Sequence, residues 1–339
     1  SVVAWDRATG KPLSPVLSWQ DRRTANAIDA LAPHAPMVQE ITGLRLSPHY
    51  GGGKLQWLLQ HSKPVRAALA EERLLMGPLA SYLLFHLLTD RPALVDHANA
   101  SRTLLWNLHT RDWDARMLSL FEVPRDTLPE CRPIQSNYGR LAAHDISLRA
   151  VNGDQTAALY AQGLPPADTL IVNIGTGAFV LMPTESPMNC PDGLLAGISH
   201  SDDESGRYYF EGTVNGAAAA VKMIAQRFAF EDIKTELPEW LARVDSPTLF
   251  INTVGGLGAP WWRSGPDAYF LNEPVDSAEA LVAVIESIVF LLQANIERMC
   301  RHNPPARTIR VSGGLSNLDG LCQRLADLSG LAVHRPVQV

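Results

Sequence analysis

Asp154 and Gln155, within VNGDQTAALYAQG at residues 151–163, set a carboxylate and an amide at the start of an apolar helical run. A carboxylate held there can accept the proton of a substrate hydroxyl while Gln155 binds a neighbouring hydroxyl. With an ordinary pKa of ~3.9 it would orient the hydroxyl and take its proton late. Alone, Asp154 also reads as the cap of its own helix. Further on, DTLIVNIGTGAFVLM interrupts a buried strand pattern with Gly175, Thr176 and Gly177. That is a hairpin whose turn amides and Thr176 hydroxyl can converge on an anion, or a plain turn. A third stretch, RVSGGLSNLDGLCQRLADLSG, follows a strand and opens a helix. Gly313 and Gly314 let a flat or anionic group approach, and Asn317 offers polar contacts near the helix start. Its spacing is not the dinucleotide GxGxxG, and no Walker GxxxxGK[ST] string occurs.

These residues need elements to position them. Periodicity predicts helices over 21–32, 53–61, 64–72, 77–89, 113–120, 154–163, 211–228, 277–300 and 317–329. Strands are predicted over 1–6, 13–19, 168–175, 178–183, 207–211, 248–253, 307–312 and 331–335. The alternation is α/β. A length of 339 residues favours two domains, because single cores stop growing at roughly 250–300 residues. The join falls in QGLPPAD, giving domains 1–163 and 164–339.

A net charge of −6 lacks the basic excess that phosphate-backbone binding favours, so no nucleic-acid partner is expected. Cys131, Cys190, Cys300 and Cys322 form no metal-ligand spacing, so no protein metal site and a reduced, cytoplasmic setting are expected. The apolar run ALVAVIESIVFLLQANIERM carries Glu286, Gln293 and Glu297 and reads as a core helix, with no membrane partner implied. The start SVVAWD, RATGKP, LSPVLSW reads as a hairpin and VHRPVQV ends in a strand, so both domains are expected to be truncated at the termini.

The succession WQDRRT, SPHYGGGKLQWLL, NASRTLLWNLHTRDWD, NGDQTAALYAQG, NIGTGAFVLM, YYFEGTVNGAA, GGLGAPWW and SGGLSNLDGLCQRLADL resembles the FGGY carbohydrate kinases, most closely their glycerol kinases. The resemblance covers essentially the whole chain. It implies two actin-like, ribonuclease H-like domains around a cleft, with polyol or sugar in the first and ATP with Mg²⁺ mostly on the second. Under it Asp154 is the catalytic base, Trp19, His49 and Gln155 bind substrate, and Gly175, Thr176, Gly177, Gly212, Gly313, Gly314 and Asn317 bind nucleotide. It implies phosphorylation of a terminal hydroxyl of a small polyol or sugar, glycerol leading, by a homo-oligomer (dimer or tetramer). A xylulokinase-like pentulose kinase and a non-catalytic actin-like nucleotide-binding protein are the alternatives.

The chain departs from the family pattern in places. The Asp-x-Gly-Thr phosphate loop is missing, as is the Arg-Glu substrate pair expected immediately before Ser1, and His49 stands where a substrate-contacting tyrosine is expected. Trp261 and Trp262 read as packing, His97 and His109 have no partner at metal-ligand spacing, and Arg22 and Arg23 read as a solvated face.

Overall fold

A computed structural model describes residues 1–161, 163–230, 233–301 and 306–335 of the chain. Two compact units divide it. The first comprises Ser1–Ala161 with the returning segments Glu185–Pro187 and Leu195–Tyr208; the second holds the rest. The expected division after residue 163 treats the chain as two uninterrupted stretches, whereas the units interleave.

Polar bonds explain why the Leu195–Tyr208 hairpin joins the first unit. The Ser201 hydroxyl accepts the Ile134 amide at 3.0 Å and lies 3.0 Å from His97 Nδ1. Tyr160 donates to Ser199 at 3.0 Å and Arg111 donates to the Ser205 carbonyl at 2.7 Å. Ser201 is fully buried, and losing such a partner would leave donors unsatisfied at roughly 1–3 kcal/mol each.

The first unit is built on the strand Val2–Asp6, buried at every residue and paired antiparallel with Leu74–Pro78, from Val2↔Pro78 to Asp6↔Leu74. Val3, Trp5, Leu75 and Phe85 form a core cluster, with Tyr82 and Phe85 presenting ring edges to Trp5 at 5.5 and 6.1 Å. The strand expected over 13–19 is not continuous. Only the bridges Val2↔Leu17 and Trp5↔Pro12 form. Pro12 and Pro15 lack the amide a ladder requires, and the Ser14 hydroxyl accepts the Ala4 amide instead. The helix expected over 77–89 starts at Leu79, because Gly77 and Pro78 complete the strand.

In the second unit the sheet order is Gly206–Val214, Ala178–Thr184, Thr169–Ile174, Thr308–Ser312, Ala332–His334. Thr169–Ile174 runs antiparallel to Ala178–Thr184 and parallel to Thr308–Ser312. The helix Ser277–Cys300 is long and apolar enough to cross a membrane, but within this unit it packs against the helices Ala218–Arg227, Ile233–Arg243 and Asp319–Ser329 and the strand Ala178–Thr184. Asp276 caps it by accepting the Glu279 amide at 2.8 Å. The helix expected over 154–163 is shorter, Asp154–Ala158. Of the strand expected over 331–335, Ala332–His334 forms, and residues 336–339 lie outside the described residues.

Candidate functional site

The helix Gly51–His61 begins without a side-chain cap. Its leading amides are satisfied from another segment: Gly52 donates to the Thr103 carbonyl at 2.6 Å and Gly51 to that of Arg102 at 3.4 Å. Such closeness requires the glycines, since a Cβ on Gly52 would stand 2.8 Å from the Thr103 oxygen. The approach carries Arg102 over the Tyr50 ring, 5.7 Å from its centroid. From one turn inside the helix, Lys54 returns its ammonium to the preceding turn. It donates to the Pro48 carbonyl, to His49 at 3.0 Å and to Tyr50 at 3.4 Å.

Trp19 arrives from a separate turn. The Asp21 carboxylate accepts the Arg23 amide at 2.9 Å and its guanidinium at 2.7 Å, which holds Asp21 below the usual carboxylate range. Arg23 then lies over Trp57 of the helix, 4.4 Å from the ring centroid. Arg22 and Arg23 are both exposed, as expected of a solvated face, and Arg23 in addition pins the Trp19 turn to the helix. Trp19 is 50% exposed. Its ring centroid is 5.0 Å from that of His49, which in turn stands edge-on to Tyr50 at 5.3 Å. Burial, then the charges of Arg102 and Lys54, push His49 down to about 4. The residue keeps an exposed edge, and all these influences favour a neutral imidazole at pH 7.

Asp154 is the first residue of its helix, and Gly153 is the cap. Asn152 organises the start: its Oδ1 accepts the Gly153 amide at 2.8 Å and lies 2.5 Å from the Thr156 hydroxyl. The Asp154 carboxylate accepts the adjacent Gln155 amide at 2.8 Å, its one hydrogen bond among the described residues, and both side chains are exposed.

In the second unit, Gly175, Thr176 and Gly177 join two paired strands. The Gly175 amide donates to the Gly177 carbonyl at 2.9 Å, so it is not part of an open nest. The leading amides of the helix Ala218–Arg227 are spent on this turn, Ala218 on the Gly175 carbonyl at 3.0 Å and Ala219 on that of Thr176 at 3.1 Å. What stays open is the exposed Thr176 hydroxyl, which has no hydrogen bond among the described residues. Gly177 must lack a side chain, as a Cβ would meet the Val214 carbonyl at 2.8 Å.

Parallel pairing sets Ser312 opposite Asn173, and Asn173 donates to the Ser312 hydroxyl at 3.0 Å. The Gly175–Gly177 turn and Gly313–Gly314 therefore leave the sheet side by side at its strand ends. Gly313 has φ +90°, and a Cβ there would stand 2.6 Å from the Ile174 oxygen. Gly314 differs, since among the described residues nothing lies within 4 Å of where its Cβ would stand. Asn317, at the end of the short turn Gly314–Asn317, is exposed. Gly212 is buried and its bare Cα faces Asn295, whose Oδ1 would lie 2.4 Å from a Cβ. Packing accounts for that glycine.

Sequence reasoning passed over Lys54 and Arg102. The available signal was a lysine four residues after Tyr50 inside GGGKL, a stretch buried throughout. Trp262 donates its indole N–H to the Gly193 carbonyl, a packing role, while Trp261 is 43% exposed. His109 contacts the Glu40 carbonyl at 3.0 Å. Among the described residues no group of three or more His, Cys, Asp or Glu could hold a metal, and all four cysteines are free.

Family comparison matches residues 1–151 to the N-terminal domain of the FGGY family of carbohydrate kinases and residues 170–339 to its C-terminal domain. The chain is 34% identical over 348 residues to a glycerol kinase of Geobacter sp. (strain M21), covering 99% of this chain and 70% of that protein. It is 32% identical over 351 residues to a glycerol kinase of Deinococcus radiodurans, covering 99% and 69%. Among solved structures, the Plasmodium falciparum glycerol kinase with ADP superposes with a TM-score of 0.91 at 24% identity, over 99% of this chain and 69% of that one. A xylulose kinase from Brucella ovis gives 0.87 at 18%, over 100% and 70%.

Proposed function

The chain belongs to the FGGY family of carbohydrate kinases and is a phosphotransferase; we propose that it uses ATP and that its acceptor is a small polyol, glycerol before others, phosphorylated at a terminal hydroxyl. The observation that supports this reading is the Asp154 carboxylate, exposed beside the exposed Gln155 at the start of its helix and hydrogen-bonded among the described residues only to the Gln155 amide. In the proposed step the acceptor O–H bond breaks, its proton passes to Asp154, the oxygen bonds to the γ-phosphorus, and the bond to the ADP oxygen breaks. Phosphoryl transfer asks little covalent chemistry of a protein and much positioning. Trp19 with His49 gives the carbon edge of a short polyol an apolar wall, and Gln155 binds an adjacent hydroxyl.

On the nucleotide side, Thr176 with Gly175 and Gly177 meets phosphate, and Gly313 with Gly314 and Asn317 admits adenosine; Gly212 shapes the sheet beside them. In this assignment the first unit holds the acceptor and the second the nucleotide. Mg²⁺ belongs to the proposal as a companion of ATP. Free cysteines support a reducing, cytoplasmic setting. A dimer or tetramer of like chains is part of the same proposal.

The test is a comparison of specificity constants for glycerol, erythritol, xylulose, ribulose and a hexose. Glycerol or erythritol should lead by roughly tenfold or more, because a site built around particular hydroxyls rejects acceptors that leave its polar groups unpaired. A preferred hexose would sink the small-acceptor argument, and a preferred pentulose would move the assignment to a xylulose kinase.

A further inference from the structure

We propose that Lys54 is a positioning residue for the acceptor: its ammonium fans onto the carbonyls of Pro48, His49 and Tyr50 and so fixes the turn that lays the His49 ring against Trp19. The inference rests on the reading that Trp19 and His49 line the acceptor site.

A lysine 1% exposed is unusual, since a buried cation is costly unless compensated. Among the described residues no carboxylate lies within ion-pair distance of Lys54; Asp21 acts on it only at longer range. All three N–H donors go instead to three successive main-chain carbonyls. An apolar residue would fill the same space, but those carbonyls would lose their donors. The charge thus specifies the conformation of one turn, and that turn carries His49.

The His49 ring is held between Trp19 at 5.0 Å and Tyr50 at 5.3 Å, so rotation of the turn moves it off the tryptophan. Lys54 and Arg102 also help to keep the imidazole neutral, able to offer one donor and one acceptor to hydroxyl groups. The groups facing Lys54 are His49 and Tyr50 on the turn, Asp21 and Arg23 on the Trp19 loop, and Arg102 behind Tyr50. Burial first, and then Arg23, lower the Lys54 pKa to about 8, against the pull of Asp21. Its third donor is therefore lost within the working range of an assay.

Lys54→Met in the intact protein keeps the length and removes the donors. It should raise the acceptor KM by about tenfold or more while kcat and the KM for ATP stay within about threefold. An unchanged acceptor KM, or an equal decline in every parameter, overturns the proposal. Should the variant not fold, the parent decides: its acceptor KM should climb through about pH 8 with the KM for ATP level, and a flat acceptor KM overturns it. Trp19→Ala separates the two layers. If it leaves the acceptor KM unchanged, the site reading itself fails; if it raises that KM while Lys54→Met does not, only the positioning role fails.

Discussion

In the first unit the candidate site consists of side chains: Trp19 and His49 ring to ring, the Asp154 carboxylate, and Lys54 and Arg102 behind them. In the second it consists of main chain. The Gly175–Gly177 turn and the Gly313–Gly314 turn leave adjacent parallel strands, and Gly177 and Gly313 are dictated by carbonyls 2.6–2.8 Å from where a Cβ would sit. Side-chain sites can be retuned one group at a time. At Gly177 and Gly313 the main-chain site cannot, because a side chain there meets a carbonyl before any ligand arrives.

The largest effect that contrast predicts is at Asp154. Asp154→Asn should lower turnover by roughly 10²–10⁴-fold while ATP binding stays nearly intact, since one functional group is removed and no packing changes. Both quantities should be measured; turnover within a few-fold of the parent would return Asp154 to an incidental place at its helix start.

Next comes a pair of neighbouring glycines. Gly313→Ala should destabilise the second unit by on the order of 1–3 kcal/mol, from the positive φ and the Ile174 carbonyl. Gly314→Leu, facing open space, should leave the melting temperature alone yet weaken a non-hydrolysable ATP analogue by about tenfold or more through steric exclusion. Calorimetric titration of the folded Gly314→Leu variant decides, and unchanged affinity would place the adenosine elsewhere.

The smallest effect concerns pH and belongs to the first unit. Burial, with Arg111, pushes His97 down to about 4 against the pull of Asp112. The unfolded chain then binds the extra proton between about 6.5 and 4, so the contribution is whole above 6.5 and is lost as pH falls. Between pH 7 and about 5.5 the parent should lose about 1 kcal/mol that His97→Phe does not. Asp96 beside it, pushed up to about 6 by burial, acts in the opposite sense in both proteins and cancels from the difference. Denaturant melts at the two pH values check this, and parallel losses in parent and variant would contradict it.

Legibility followed element length. The helix expected over 277–300 is present at those bounds, because twenty-four residues give periodicity room to show. Leu94–Asp96 and Glu130–Arg132 were invisible, since three residues have no period and their pairing partners are distant in sequence. The helix Ile233–Arg243 was hidden by Pro238 within it, and Ala35–Thr42 by Pro36 at its start. Asn152 drew no notice, although its Oδ1 holds the Gly153 amide and the Thr156 hydroxyl on either side of Asp154.

The sequence by itself determined the alternation of strands and helices, the glycines at Gly175, Gly177 and Gly313, and the motif order that places the chain among the FGGY carbohydrate kinases. These are local matters of period, backbone freedom and residue order. Only the tertiary structure decided that Arg23 anchors the Trp19 turn through Trp57, and that the Leu195–Tyr208 hairpin returns to the first unit. It alone also showed that Gly212 answers to Asn295 and that Lys54 is buried on three carbonyls. In each case the deciding partner comes from a neighbouring turn or a distant segment, and whether a charge is exposed or enclosed depends on what packs over it.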